Sequence, residues 1–135
     1  MDWKECIKKR IIKNVKEDLN LISSTRKIAE IKIKSAEAIP QELAIGKITL
    51  LYDALRESLE AIALERGYKV YNHECYSAFL KELLNLSQEG DMFDNLRKIR
   101  NGINYYGKEV SEEEAEKIIK DLYVLIKKFK DYKEK

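Results

Sequence analysis

Ser111-Glu-Glu-Glu-Ala115-Glu-Lys-Ile118-Ile119-Lys-Asp-Leu122-Tyr-Val-Leu125-Ile126-Lys-Lys-Phe129 sets the fold class. A hydroxyl followed three residues on by a carboxylate is a capping box, which satisfies orphan N–H groups at a helix start. Ala115, Ile118, Ile119, Leu122, Leu125, Ile126 and Phe129 then recur at three- and four-residue steps. That period places them on one helical face, which must be buried. The acidic triplet at the start and the Lys pair at the end both suit the helix dipole.

The same period extends outward through the chain. Met92, Leu96, Ile99, Ile103 and Tyr106 form a stripe that Gly107 ends, with Asp91 as the expected cap after a break at Gln88–Asp91. Ala44, Ile48, Leu51, Leu55, Leu59 and Ile62 form another, opened by Pro40 and ended by Gly67. Asn72 suits the N-cap of a helix carrying Tyr76, Phe79, Leu80, Leu83 and Leu84. Residues 2–38 read as one long helix with a kink at Ser23-Ser24-Thr25, or as two helices. No stretch alternates long enough to predict a strand. The expected fold is all-α, an antiparallel up-and-down bundle of four or five helices, in one domain over 1–135.

Composition fits that class. Of the 135 residues, 44% are hydrophobic and 37% charged, with five Gly and one Pro, which excludes disordered and turn-rich β classes. No run approaches the ~18 apolar residues of a membrane span. The N-terminus, Met1-Asp2-Trp3-Lys4-Glu5, has no apolar signal region, so a cytoplasmic protein is expected. Cys6 and Cys75 are far apart and read as reduced, buried side chains, and neither a metal site nor a cofactor is expected. Lys and Ile are abundant, as in many thermophile proteomes and also in AT-rich coding.

A net charge of +2 excludes a polybasic coat. It conceals a division. Residues 1–39 hold 10 basic and 6 acidic side chains, 40–95 hold 5 and 10, and 96–135 hold 11 and 8. Either complementary segments pack together or the basic parts form an anion-binding surface.

Arg97, Arg100, Asn101 and Asn104 lie at i, i+3, i+4 and i+7, a polar stripe beside the apolar one. Arg carries a planar fork of donors suited to phosphate or carboxylate. The plain alternative is a solvated face with Arg paired to an acid such as Glu57 or Glu60. Gly102, within this helix, costs roughly 1 kcal/mol relative to Ala and so suggests a ligand or close neighbour there. Of the eight tyrosines, Tyr52, Tyr76, Tyr106 and Tyr123 fall near apolar stripes, and Tyr105 lies beside the Arg stripe. His73, the one His in the chain, reads as a capping or partly buried residue, or as a base folded near Arg100.

Two segments together resemble the HEPN superfamily of small helical domains. The first is Leu51–Ile62 followed by Gly67, Asn72-His73 and Phe79-Leu80, similar to that family's central hairpin. The second is Arg100-Asn101 before an acid-capped last helix. The resemblance spans about residues 40–130. It implies a homodimer with the Arg motif at the two-fold interface, and a minimal nucleotidyltransferase as a partner. It also implies RNA or a nucleotide as ligand, held through Arg97, Arg100, Asn101, Asn104 and Tyr105. In its ribonuclease members an Arg binds the phosphate while a His four to six residues later transfers the proton. Here those positions are Tyr105, Tyr106 and Gly107. A Tyr with a pKa near ~10 is a poor base at neutral pH but can hydrogen-bond phosphate or stack on a nucleobase. The implied function is therefore a HEPN-like binding module without the motif His. The alternatives are a ribonuclease toxin of a toxin–antitoxin or defence system, using Arg100 with Tyr105 or His73, and a helical scaffold. By the same resemblance, Tyr105 or Tyr106 is a site for adenylylation by the partner.

Overall fold

The structure, a computed structural model, describes residues 1–133 and is predominantly helical. The elements run α1 (Trp3–Lys8), β1 (Ile12–Asn14), α2 (Leu19–Glu37), a 3-10 turn (Gln41–Leu43), α3 (Ala44–Glu65), β2 (Tyr68–Val70), α4 (Glu74–Ala78), a π-helical turn (Phe79–Leu83), α5 (Ser87–Tyr106) and α6 (Glu112–Phe129). No helix among the described residues is long and apolar enough to cross a membrane.

Helix α3 organises the core. It packs against α2, α5, α6 and β2, and residues on every side of it are buried, from Ile48 and Leu51 to Ile62 and Leu64. A helix apolar nearly all round belongs inside, as α3 is. Helix α6 buries the seven side chains of its predicted stripe, and Ser111 and Glu114 form the capping box. Each large apolar side chain so buried contributes about 1.5–3 kcal/mol before the entropy of ordering it. Tyr52, Tyr76, Phe79, Phe93 and Phe129 fill the centre. Gly67 (φ +86°) and Gly107 (φ +64°) end α3 and α5 in left-handed conformations that favour Gly.

The first 38 residues are not one helix. Asp2 caps α1 by accepting the Glu5 N–H at 2.8 Å, and Asp18 caps α2 by accepting the Leu21 N–H at 3.0 Å. Between them the chain forms a strand. β1 and β2 pair antiparallel, Ile12 opposite Val70 and Lys13 opposite Lys69. Three-residue strands are too short to show a period, and this ribbon forms because Ile12 and Val70 are buried in the core.

The cysteines are also corrected. Cys6 on α1 and Cys75 on α4 form a disulfide with Cα atoms 6.2 Å apart. Distance along the chain did not prevent pairing, because α1 folds back onto α4. Both cysteines are buried, as expected, but oxidised and not reduced.

Helix α5 does not break at Gln88–Asp91 but begins at Ser87 and runs through Gly90. Gly90 allows close packing there. A Cβ on it would lie 2.6 Å from Lys81 Cγ and 3.1 Å from the Ser77 carbonyl oxygen, and the Gly90 carbonyl accepts the Ser77 hydroxyl at 3.0 Å. A Cβ on Gly102, by contrast, would meet only the Lys108 side chain, at an ordinary 3.6 Å. No close-packed backbone explains that glycine.

Candidate functional site

The polar stripe of α5 divides by environment. Arg97 is committed to its own helix, where Nε and Nη2 donate to Asp94 Oδ1 at 3.0 and 2.9 Å. Burial alone would raise the Asp94 carboxyl. The hydrogen bonds and charges of Arg97 and Lys98 outweigh it and hold Asp94 below the usual carboxylate value.

Arg100 is held differently. Its Nη1 donates to the Tyr105 hydroxyl at 3.1 Å and to Asn101 Oδ1 at 3.4 Å. Its guanidinium lies between two aromatic faces, 5.2 Å from the Tyr52 ring centre and 5.4 Å from that of Tyr105. The acid facing it is Asp53, with Oδ1 3.8 Å from Nη2, and not Glu57 or Glu60 as the sequence suggested. Arg100 Nε is buried without a hydrogen-bond partner.

Asp53 opens a wider network, since its other oxygen lies 3.9 Å from Lys32 on α2. Lys32 also pairs with Glu57 at 2.5 Å, Glu57 with Arg56 at 3.3 Å, and Arg56 with Glu60 at 2.9 Å. Glu60 also pairs with Lys69 of β2. Burial would raise the Glu60 carboxyl, but Lys69 and Arg56 bring it below its ordinary value. Thus cations from both basic outer segments meet the acids of the middle one, as do Arg26 with Glu65 and Lys128 with Glu89. Complementary segments pack together inside one chain.

His73, on the turn after β2, joins the same cluster. Its Nδ1 is 3.1 Å from the Tyr52 hydroxyl, and Tyr52 carries Arg100 on its ring face. Asn72 accepts the Glu74 N–H at 2.9 Å, but His73, not Asn72 as its residue type suggested, holds the N-cap position of α4. Burial, and then the positive charges of Arg56 and Arg100, lower the His73 pKa to about 4, so the ring is neutral at pH 7. Burial raises the Tyr52 hydroxyl, which stays protonated.

The remaining stripe residues face outward. Asn104 is exposed, Tyr105 is 67% exposed and Tyr106 83%. Tyr106 is thus not a core residue. Ile103 is the last buried position of α5, and the final turn projects beyond the core. The fold's larger clefts lie elsewhere. One of about 670 Å³ sits beside Leu43, Ile45 and Ala115, one of about 320 Å³ beside Met1 and Glu74, and one of about 310 Å³ beside Arg26 and Ile33. Arg100, with 16% of its side chain exposed and its Nε buried, lines none of these clefts.

Sequence reasoning singled out Arg100, Asn101, Tyr105 and His73, and the structure brings them together. It did not identify Tyr52, Asp53 or Lys32 as their neighbours. The available signal was the spacing of Asp53, Arg56, Glu57 and Glu60, charged residues at helical steps within an otherwise apolar helix. No protein-family model, curated protein or solved structure matches this chain.

Proposed function

We propose that the chain is a HEPN-like helical bundle acting as a nucleotide- or RNA-binding module, with Arg100 as the phosphate contact. The observation that carries the reading is the setting of Arg100. Its guanidinium lies over the Tyr52 and Tyr105 rings beside exposed aromatic surface, and its only acid among the described residues stands at 3.8 Å. Tyr105 has its hydroxyl on Arg100 and an exposed ring, so it serves as a hydrogen-bond donor to phosphate or a stacking face. Asn101 orients the guanidinium, and Asn104 extends the polar surface. Arg97 contributes field more than contact, because Asp94 occupies its donors.

Action as a homodimer, and docking of a minimal nucleotidyltransferase with Tyr105 or Tyr106 as its target, rest on the HEPN resemblance alone. A cytoplasmic setting belongs to the same reading. It fits the Cys6–Cys75 disulfide best in a hyperthermophile, whose intracellular proteins are disulfide-rich.

A second reading, a metal-independent ribonuclease, has one specific support. His73 lies on Tyr52, which contacts Arg100, so a neutral imidazole stands in the cluster although the motif position lacks one. A pKa near 4 makes it a weak base, which favours binding over cleavage.

Equilibrium binding of a mononucleotide and of an RNA oligonucleotide across a salt series tests the proposal. Arg100→Ala should weaken both, with RNA left intact over hours with or without divalent metal. Unchanged binding in Arg100→Ala would favour a plain scaffold. RNA cleavage abolished by both Arg100→Ala and His73→Ala would favour the ribonuclease.

A further inference from the structure

We infer that the β1–β2 ribbon and the adjoining α1 form a second surface, separate from Arg100, that binds the backbone and bases of a single-stranded nucleic acid. The charge pattern is the first support. Lys4, Lys8, Lys9, Arg10, Lys13 and Lys16 are all exposed, and none has an acidic partner among the described residues. Many cations elsewhere in the fold, among them Lys32, Arg56, Lys69, Arg97 and Lys128, face a carboxylate instead. In the first 16 residues the only acids are Asp2 and Glu5, and the Asp2 carboxylate is taken by the α1 cap.

The second support is an aromatic platform within this charge. Alternation along the ribbon sends Ile12 and Val70 inward, leaving Lys13, Lys69 and Tyr71 on the outer face. Tyr71 is 60% exposed, with the ammonium groups of Lys13 and Lys69 at 5.5 and 6.0 Å from its ring centre. Its backbone is fixed, because its N–H donates to the Ile11 carbonyl at 2.9 Å. Lys69 is held by Glu60, so Lys13 is the free cation at the ring, and the exposed ring can stack on an unpaired base while Lys13 meets a flanking phosphate. A duplex offers no free base face, which selects single strands.

The third support is rigidity. The Cys6–Cys75 disulfide ties α1 to α4, and the strand pairing ties β1 to β2. Helix α1 ends with the Arg10 N–H on the Ile7 carbonyl and the Ile11 N–H on the Cys6 carbonyl, a Schellman arrangement. Its left-handed position, usually Gly, is occupied by Arg10 at φ +59°. A cation is thus kept where the backbone favours Gly.

The test uses the full-length chain and a labelled single-stranded oligonucleotide, as RNA and as DNA, alone and annealed to its complement. Single strands of either sugar should bind with a steep salt dependence. Lys9→Ala, Arg10→Gly and Lys13→Ala should each lower the log–log salt slope by about 0.7. Arg10→Gly suits the local backbone, so it reports binding without unfolding. Tyr71→Ala should weaken single strands by about fivefold or more, keep the slope and leave the duplex unaffected. Oligonucleotide binding that these variants leave unchanged overturns the inference. So does binding to anionic phospholipid vesicles without binding to the oligonucleotide. Mononucleotide binding is measured in Arg100→Ala and in the ribbon variants alike. Its loss in Arg100→Ala and retention in the ribbon variants separates the two sites. Failure of mononucleotide binding together with ribbon-dependent oligonucleotide binding removes the Arg100 reading and leaves this one standing.

Discussion

Acidification should destabilise this fold before its carboxylates begin to protonate, and His73 should be the cause. In the folded chain the ring is held neutral to about pH 4 by burial and by the charges of Arg56 and Arg100. In the unfolded chain it takes a proton near the ordinary 6.5. Between those values the unfolded state binds more protons than the folded state, so stability falls as pH drops. The contribution is fully present above about 6.5 and lost on approaching 4. The gap in proton affinity corresponds to at most about 3.4 kcal/mol. His73 is only partly buried, and solvent screening reduces that to roughly 1–2 kcal/mol. Glu60 and Asp94 act in a lower window. Their lowered values give stability that is lost only as pH falls below the ordinary carboxylate range. Urea unfolding at pH 7, 5.5 and 4.5, for the parent and for His73→Gln, isolates the imidazole. The parent should lose about 1–2 kcal/mol more than the variant across that range. Parallel pH profiles, or an imidazole proton resonance titrating near 6.5, would refute the reasoning and the burial on which it rests.

Other outcomes are equally direct. Cys6→Ala/Cys75→Ala opens a loop closed between residues 69 apart, and the chain-entropy relation gives a loss of about 4 kcal/mol, read from urea midpoints without reductant. Gly90→Ala should cost about 1–3 kcal/mol, because its Cβ meets Lys81 Cγ at 2.6 Å and the Ser77 carbonyl at 3.1 Å. Gly102→Ala should instead stabilise by about 0.5–1 kcal/mol, since its Cβ meets Lys108 at an ordinary 3.6 Å and the helix gains propensity. If thermal unfolding reverses the order of these two glycine variants, the crossing of α4 and α5 is placed wrongly.

The helices were legible where one face alone had to be buried. Helix α6 shows this best, since an amphipathic period with a capping box leaves few alternatives. The ribbon was not legible. Its strands have three residues each, their buried members are Ile12 and Val70, and they meet only because the intervening chain has folded. Gly90 misled for a related reason, because helix propensity counts it as a breaker and the close approach of Ser77 and Lys81 is a tertiary fact. At the candidate site Arg100 could be singled out from its own helix, but its acid could not. Asp53, Glu57 and Glu60 recur on α3 at helical spacing, and only the packing of α3 against α5 selects Asp53.

That selection bears on why the network exists. Stability alone does not account for it, because Glu57 Oε2 and Arg100 Nε are both buried without hydrogen-bond partners among the described residues. Each such atom costs about 1–3 kcal/mol, and well-packed apolar replacements of a buried ion pair are often neutral or stabilising. If Arg100 is retained for a ligand, stability and binding should separate. Asp53→Ala alone removes the carboxylate that faces both Arg100 and Lys32 and should destabilise by about 1–3 kcal/mol. Asp53→Leu with Arg100→Met should recover parental stability within about 1 kcal/mol while losing mononucleotide binding. Urea unfolding and the binding titration on the same preparations decide it. A double variant less stable than either single substitution would make the pair a structural device, and the phosphate-contact reading would lose its main support.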